Sequence, residues 1–287
     1  MSPGHPSLSL DPLSDVHQLL TFQFMVSALA AGTIVAVLAA TAGWYMVLRR
    51  QSFAGHTLSV MAFPGAAGAA LAGLPTALGY YLAGGAAALA IGAGKRAGAA
   101  HNRETAAIGT IQTAGLAAGF LFLSLSHAVL AGPETLLFGS ILGITHDQVL
   151  VLLAVAVATL AILALTARPL LLASIDPEVA SARGIPVAAL DVLFLLILGI
   201  VVAATSQITG ALLVFALLVA PPASAQLVTL RPFLGLALSA VFALLIVWLG
   251  LAIAYFSVYP PGFCTTTIAF CCYVLVRSAR ALSRSRR

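Results

Sequence analysis

The chain repeatedly offers uninterrupted apolar stretches close to the ~20 residues that a helix needs to cross ~30 Å of hydrocarbon. No other feature constrains its fold as tightly. A soluble domain carries about 25% charged residues, whereas here 61% of 287 residues are hydrophobic and 7% are charged. That is too little polar surface to cover a core in water, so lipid must be the solvent. The runs are continuous rather than alternating, which argues against a β-barrel. The 25 glycines and many alanines suit close helix packing in a bilayer. The expected fold class is all-α, a polytopic transmembrane helix bundle.

Hydropathy places about nine spans, at roughly 21–48, 57–74, 76–94, 105–127, 148–167, 189–204, 208–230, 233–256 and 262–276. The stretch 189–230 is too long for one crossing. Thr205, Ser206 and Gln207, followed by Gly210, divide it. All thirteen Lys and Arg residues then fall on one side of the alternation, at 49–50, 95–103, 168–183, 231 and 277–287. The positive-inside rule makes that side cytoplasmic, with the N-terminus outside and the C-terminus inside. Residues 1–20 are then an extracytoplasmic tail, 21–277 the membrane domain and 278–287 a basic cytoplasmic tail. Residues 1–20 hold no Lys or Arg, so they do not read as a cleavable signal peptide. The net charge of +5 is a topology signal and a contact for anionic membrane lipid, not a nucleic-acid surface. Cys264, Cys271 and Cys272 contain no C-x-x-C pair and read as small hydrophobes.

Between the fifth and sixth spans lies the most informative cytoplasmic segment, Asp176 to Pro186. Asp176 suits an N-cap, Pro177 the first helical position, and Glu178 the positive end of the dipole. Arg183 falls in the last turn, Gly184 can take the left-handed stop, and Pro186 prevents continuation. A two-turn helix this short needs packing partners. It is either a connector docked on its own bundle or a coupling helix seated in an ATPase groove, with Ala180 on the closely packed face.

Polar groups at the membrane are costly and functional by default. His56, Thr57 and Ser59 are expected to open the second span, just before breaks at Pro64, Gly65 and Gly68. Pro and Gly there free carbonyls that can line a water-filled path. His56, Ser59, Pro64 and Glu104 are the candidates for a translocation path, and His56 is the candidate metal ligand. For Glu104 and Asp191, each near a helix start, the local alternative is simple dipole stabilisation. His127, Glu134, His146 and Asp147 flank one outside loop, either as a metal-accepting mouth or as solvated rim residues. The G-x-x-x-G spacings at Gly115/Gly119 and Gly139/Gly143 predict helix contacts. No Walker A, H-E-x-x-H or G-x-S-x-G motif is present.

Four short segments and one longer run resemble a known family. They are Gly55–Gly65 (GHTLSVMAFPG), Glu104–Gly109 (ETAAIG), Leu137–Gly143 (LFGSILG), Asp176–Pro186 and Gly210–Ala223. The last is similar to G-x-L-L-V-x-A-L-L-x-x-P-A-A. In this order and spacing, from about residue 20 to 277, the chain resembles the zinc/manganese-type (type 3) ABC transporter permeases. The resemblance implies a permease homodimer with two copies of a separate ATP-binding cassette ATPase docked on its cytoplasmic face. It further implies an extracytoplasmic solute-binding protein that delivers a divalent metal, and no cofactor bound by this chain. Asp176, Pro177, Glu178, Ala180, Arg183 and Gly184 then belong to the segment that couples to the ATPase.

One departure bears on the cargo. The family's segment commonly reads G-D-A-L-S-H-A-V-L-P-G, with Asp and His one helical turn apart. This chain has His56 at the Asp position and Val60 at the His position. A dimer would offer two imidazoles and no carboxylate, which weighs against a hard-cation site. A metal chelate or other small solute is the alternative cargo. An ion-coupled secondary transporter would show internal repeats and mid-span acids, and an intramembrane enzyme would show a paired nucleophile and base. Neither is found.

Overall fold

The computed structural model describes residues 18, 21–96, 101–125, 143–257 and 259–285. Within these residues the chain is helical, without strands. The helices are α1 (Gln23–Leu48), α2 (Ser52–Leu71), α3 (Thr76–Arg96), α4 (His101–Leu125) and α5 (His146–Ile175). They continue as α6 (Pro177–Ala182), α7 (Val187–Thr209), α8 (Ala211–Val228), α9 (Pro232–Phe256) and α10 (Pro261–Ser285). Seven are long and apolar enough to cross a membrane, namely α1, α3, α4, α5, α7, α9 and α10. Helices α2 and α8, which correspond to two further expected spans, carry Pro64 and the pair Pro221-Pro222 and do not meet that standard.

Helix ends depart from the hydropathy boundaries in both directions: α2 stops at Leu71 rather than 74 and α8 covers Ala211–Val228 rather than 208–230, while others run longer. Helix α2 begins at Ser52 rather than 57, which puts His56 in its second turn. Helix α5 has 30 residues and runs past Arg168 to Ile175. Helix α10 continues through Arg277 and Arg280 to Ser285, so most of the expected basic tail is an extension of the last helix. Hydropathy ends where polar residues begin, but backbone hydrogen bonding does not need hydrocarbon to continue.

Helix α1 is the hub. It packs against α5, α7, α8 and α9, and its residues are buried on several faces, including Val35, Leu38, Ala42 and Met46. A helix apolar all round belongs in such a position. Three hydrogen bonds cross from its neighbours: Gln226 Nε2 to Trp44 O (3.1 Å), Ser239 Oγ to Ala40 O (3.2 Å) and Trp248 Nε1 to Thr33 Oγ1 (2.9 Å).

Close approach depends on glycine. At the α3–α7 crossing, a methyl group on Gly84 or Gly199 would stand within 2.8 Å of the other's carbonyl oxygen. At the α4–α2 crossing, one on Gly119 would stand 2.7 Å from the Phe63 ring and 3.0 Å from Pro64 Cα. Association in lipid relies on such packing because no hydrophobic drive separates helix from acyl chain. Gly139 lies outside the described residues.

Helices α7 and α8 are divided at Gly210, with φ 77° and ψ 157°. That backbone region is accessible essentially only to glycine. The polar break expected from sequence is therefore a one-residue joint.

Candidate functional site

Three helices meet around His56. From α2, Thr57 Oγ1 donates to Gln112 Oε1 of α4 at 3.1 Å, and Gln112 Nε2 lies 3.4 Å from His56 Nε2. From α8, the Phe215 ring packs edge-on against the imidazole with centroids 4.8 Å apart. The other ring nitrogen, Nδ1, is buried and has no hydrogen-bond partner. A buried imidazole nitrogen without a partner carries a desolvation cost and is the atom open to a ligand. In this arrangement the Gln112 amide donates to Nε2, which leaves the ring proton on Nδ1. Offering an Nδ1 lone pair to a cation requires the proton on Nε2 and the Gln112 carbonyl turned to accept it. An outer partner of a ligating histidine commonly sets its tautomer in this way.

The other path candidates occupy different roles. Ser59 is buried and its hydroxyl donates back to Gly55 O at 3.0 Å, so it is already satisfied within α2. Pro64 is buried in the interior of α2 and cannot donate to the Val60 carbonyl one turn earlier. That oxygen lacks its helical partner next to the α4 contact. Glu104 falls in the first turn of α4, and its side chain lies outside the described residues, as do His127 and Glu134. His146 and Asp147 are exposed in the first turn of α5, where Thr145 and Gln148 form a capping box. Among the described residues no three His, Cys, Asp or Glu side chains converge on a point that could hold a metal ion.

Gln112 is neither a carboxylate nor a histidine and is not among the site residues expected from sequence. Its signal is the single Gln of a membrane span, an amide whose placement is costly and calls for a partner.

The segment at 176–186 forms the six-residue helix α6, shorter than the two full turns expected. Asp176 Oδ1 accepts from Val179 N–H at 3.0 Å, and Pro177 takes the first helical position. Gly184, at φ 78°, closes it as Gly184 N–H bonds to Ser181 O and Ile185 N–H to Ala180 O. Arg183 is the C-cap rather than a last-turn residue. Ala180 is fully buried and clusters with Ala173 of α5 and Leu190 of α7. It therefore faces its own bundle and not the solvent side where a partner would dock. The outer face presents Glu178, Val179, Ser181, Ala182 and Arg183.

One residue along from Ala173 and Leu190, on the same turns of α5 and α7, lies a charge cluster. Arg49, the C-cap of α1, pairs with Asp191 of α7, donates from Nη1 to Ser174 Oγ at 3.1 Å, and stacks on Phe194 with 5.3 Å to the ring centroid. Burial pushes its pKa down from the ordinary arginine value. Asp191 is thus an ion-pair partner rather than a helix-dipole residue, and the separation of 142 positions hides the pair in the sequence.

The sequence profile of the ABC 3 transport family matches residues 21–279. The chain belongs to that family. It is 33% identical to a manganese transport system membrane protein of Halalkalibacterium halodurans, over 84% of this chain and 81% of that one. It is 34% identical to a chelated iron transport system membrane protein of Yersinia pestis, over 75% and 72% of the two chains. The solved structure of PsaBC from Streptococcus pneumoniae in complex with Fab superimposes with a TM-score of 0.82 at 26% identity, covering 92% of this chain and 94% of that one. As an ABC 3 family member the chain is a multi-pass permease subunit of the cytoplasmic membrane that serves metal transport. It is not an enzyme, and ATP hydrolysis resides in a separate subunit.

Proposed function

We propose that this permease works as a homodimer in an ATP-driven importer of a divalent metal ion of the zinc or manganese type. An extracytoplasmic solute-binding protein delivers the ion, and the ATPase docks on the outer face of α6. The observation that carries the cargo reading is His56, whose Nε2 is met by Gln112 while its Nδ1 is buried without a partner. Imidazole suits borderline dications such as zinc. The relatives named for manganese support an ion cargo.

His56→Ala is expected to lower metal uptake in proteoliposomes at least ~10-fold without lowering expression, as loss of a ligand contact worth ~1.4 kcal/mol or more would. Gln112→Leu, which removes the group that can hold the proton on Nε2, is expected to lower uptake by ~10-fold, the lower end of what loss of an outer partner costs. The pair His56→Asp with Val60→His should raise manganese uptake relative to zinc by adding an oxygen ligand. Wild-type uptake by His56→Ala would remove the bare-ion reading. A second reading, a metal chelate as cargo, is favoured by Val60 and by the relative named for chelated iron. Uptake of chelated but not free metal by the wild-type complex selects it.

Nine crossings with the N-terminus outside place α6 and the basic end of α10 in the cytoplasm. A reporter fused after Arg287 is expected to read cytoplasmic and one inserted near Gly132 external. The opposite pair of readings would overturn this orientation.

A further inference from the structure

Helix α1 ends in a tight stop built without glycine. Arg50 N–H bonds to Val47 O at 3.1 Å and Gln51 N–H to Met46 O at 3.0 Å, with Arg50 in the left-handed region at φ 56°. A non-glycine residue there is strained. The turn leaves Arg50 exposed and Arg49 buried, the Arg49 side chain being only 5% accessible. A buried guanidinium needs its charge met; Asp191 pairs with Nη2 and Ser174 accepts from Nη1, while Nε is buried without a partner.

The placement of those two partners is what matters. Ala173 and Leu190 form the seat of Ala180, the buried residue of α6. Their immediate chain neighbours are Ser174 and Asp191, which hold Arg49. The same turns of α5 and α7 therefore contact both α6 and the end of α1. Helix α1 is the hub of the bundle, and α2, with His56, begins within four residues of its end. A displacement of α6 has a polar link into the helices of the path.

We propose that Arg49 is a positioning residue that passes the displacement of α6 to α1 and α2, through Ser174 on α5 and Asp191 on α7. This rests on the reading of α6 as the ATPase contact. Loss of that contact shows separately as loss of complex assembly.

The test uses the assembled permease–ATPase complex in proteoliposomes and reads metal ions imported per ATP hydrolysed. A purely structural role would lower the amount of folded complex, reducing uptake and hydrolysis together and leaving their ratio unchanged. Ser174→Ala breaks the link to α5 while keeping the ion pair. It is expected to lower the ratio at least ~3-fold, the loss corresponding to one hydrogen bond of ~0.7 kcal/mol. Ser174→Thr retains the hydroxyl and is expected to restore the ratio. The double variant Arg49→Met with Asp191→Leu removes both charges without stranding either. It is expected to assemble and hydrolyse ATP with a ratio at least ~10-fold below wild type. Should the double variant fail to assemble, Ser174→Ala and Ser174→Thr decide the matter alone. A wild-type ratio in Ser174→Ala or in an assembled double variant overturns the proposal.

Discussion

Val179→Glu is expected to abolish capture of the ATPase subunit by the purified permease while leaving the permease folded. Val179 is 40% exposed on the outer face of α6, beside Glu178, Ala182 and Arg183. It is an apolar contact on a helix otherwise held by its own bundle. A carboxylate there would have to be desolvated against the partner, and central contacts of this kind cost about 2 kcal/mol or more when lost, roughly 30-fold in affinity. The fold should not notice, because the seat of α6 is the buried Ala180 and not the exposed Val179. Ala180→Glu is the informative contrast. It forces a charge into the contact with Ala173 and Leu190, so it should unseat α6 and lower thermal stability as well as assembly. Co-purification of Val179→Glu with the ATPase at the wild-type level would make α6 a connector and nothing more.

Gly43→Leu is expected to leave no properly folded permease in the membrane. A Cβ at Gly43 would stand against the Leu218 carbonyl oxygen and 3.0 Å from Leu218 Cα. These are backbone atoms that no rotamer change can move aside. The Leu218 carbonyl lies one turn before Pro222, which cannot donate to it, so glycine at 43 admits a carbonyl freed from its own helix. Overpacking alone costs ~3 kcal/mol, and separating α1 from α8 would also expose that oxygen to hydrocarbon. Gly85→Ala is the control, since nothing lies within 4 Å of a Cβ there. It should be neutral or stabilising by up to ~1 kcal/mol. Monodisperse elution and an unchanged melting temperature for Gly43→Leu would show that the α1–α8 contact is not needed.

Much of the architecture was legible because its causes are local. Asp176, Pro177 and Gly184 specify the two ends of α6 by capping and by one positive φ. Gly210 marks the joint between α7 and α8 for the same kind of reason. Helix ends at Ile175 and Ser285 were not legible, since hydropathy reports the solvent around a helix and not the extent of its hydrogen bonds. Of the candidate site, His56 could be named from sequence, but its company could not. Gln112 and Phe215 come from α4 and α8, and only packing brings them to the ring.

The sequence by itself determined that the chain lives in lipid, that it is helical, which residues cap the short helix α6, and which family it resembles. Composition, periodicity and capping act within a few residues, so a string of residues states them fully. Only the tertiary structure decided that Ala180 turns inward, that Arg49 is buried against Asp191 and Ser174, and that glycines on α1, α3, α4 and α7 set the helix spacing. Those outcomes depend on which helix lies beside which. In a bilayer that is settled by shape and by the cost of leaving a charge or carbonyl unmet, over distances along the chain that no local pattern spans.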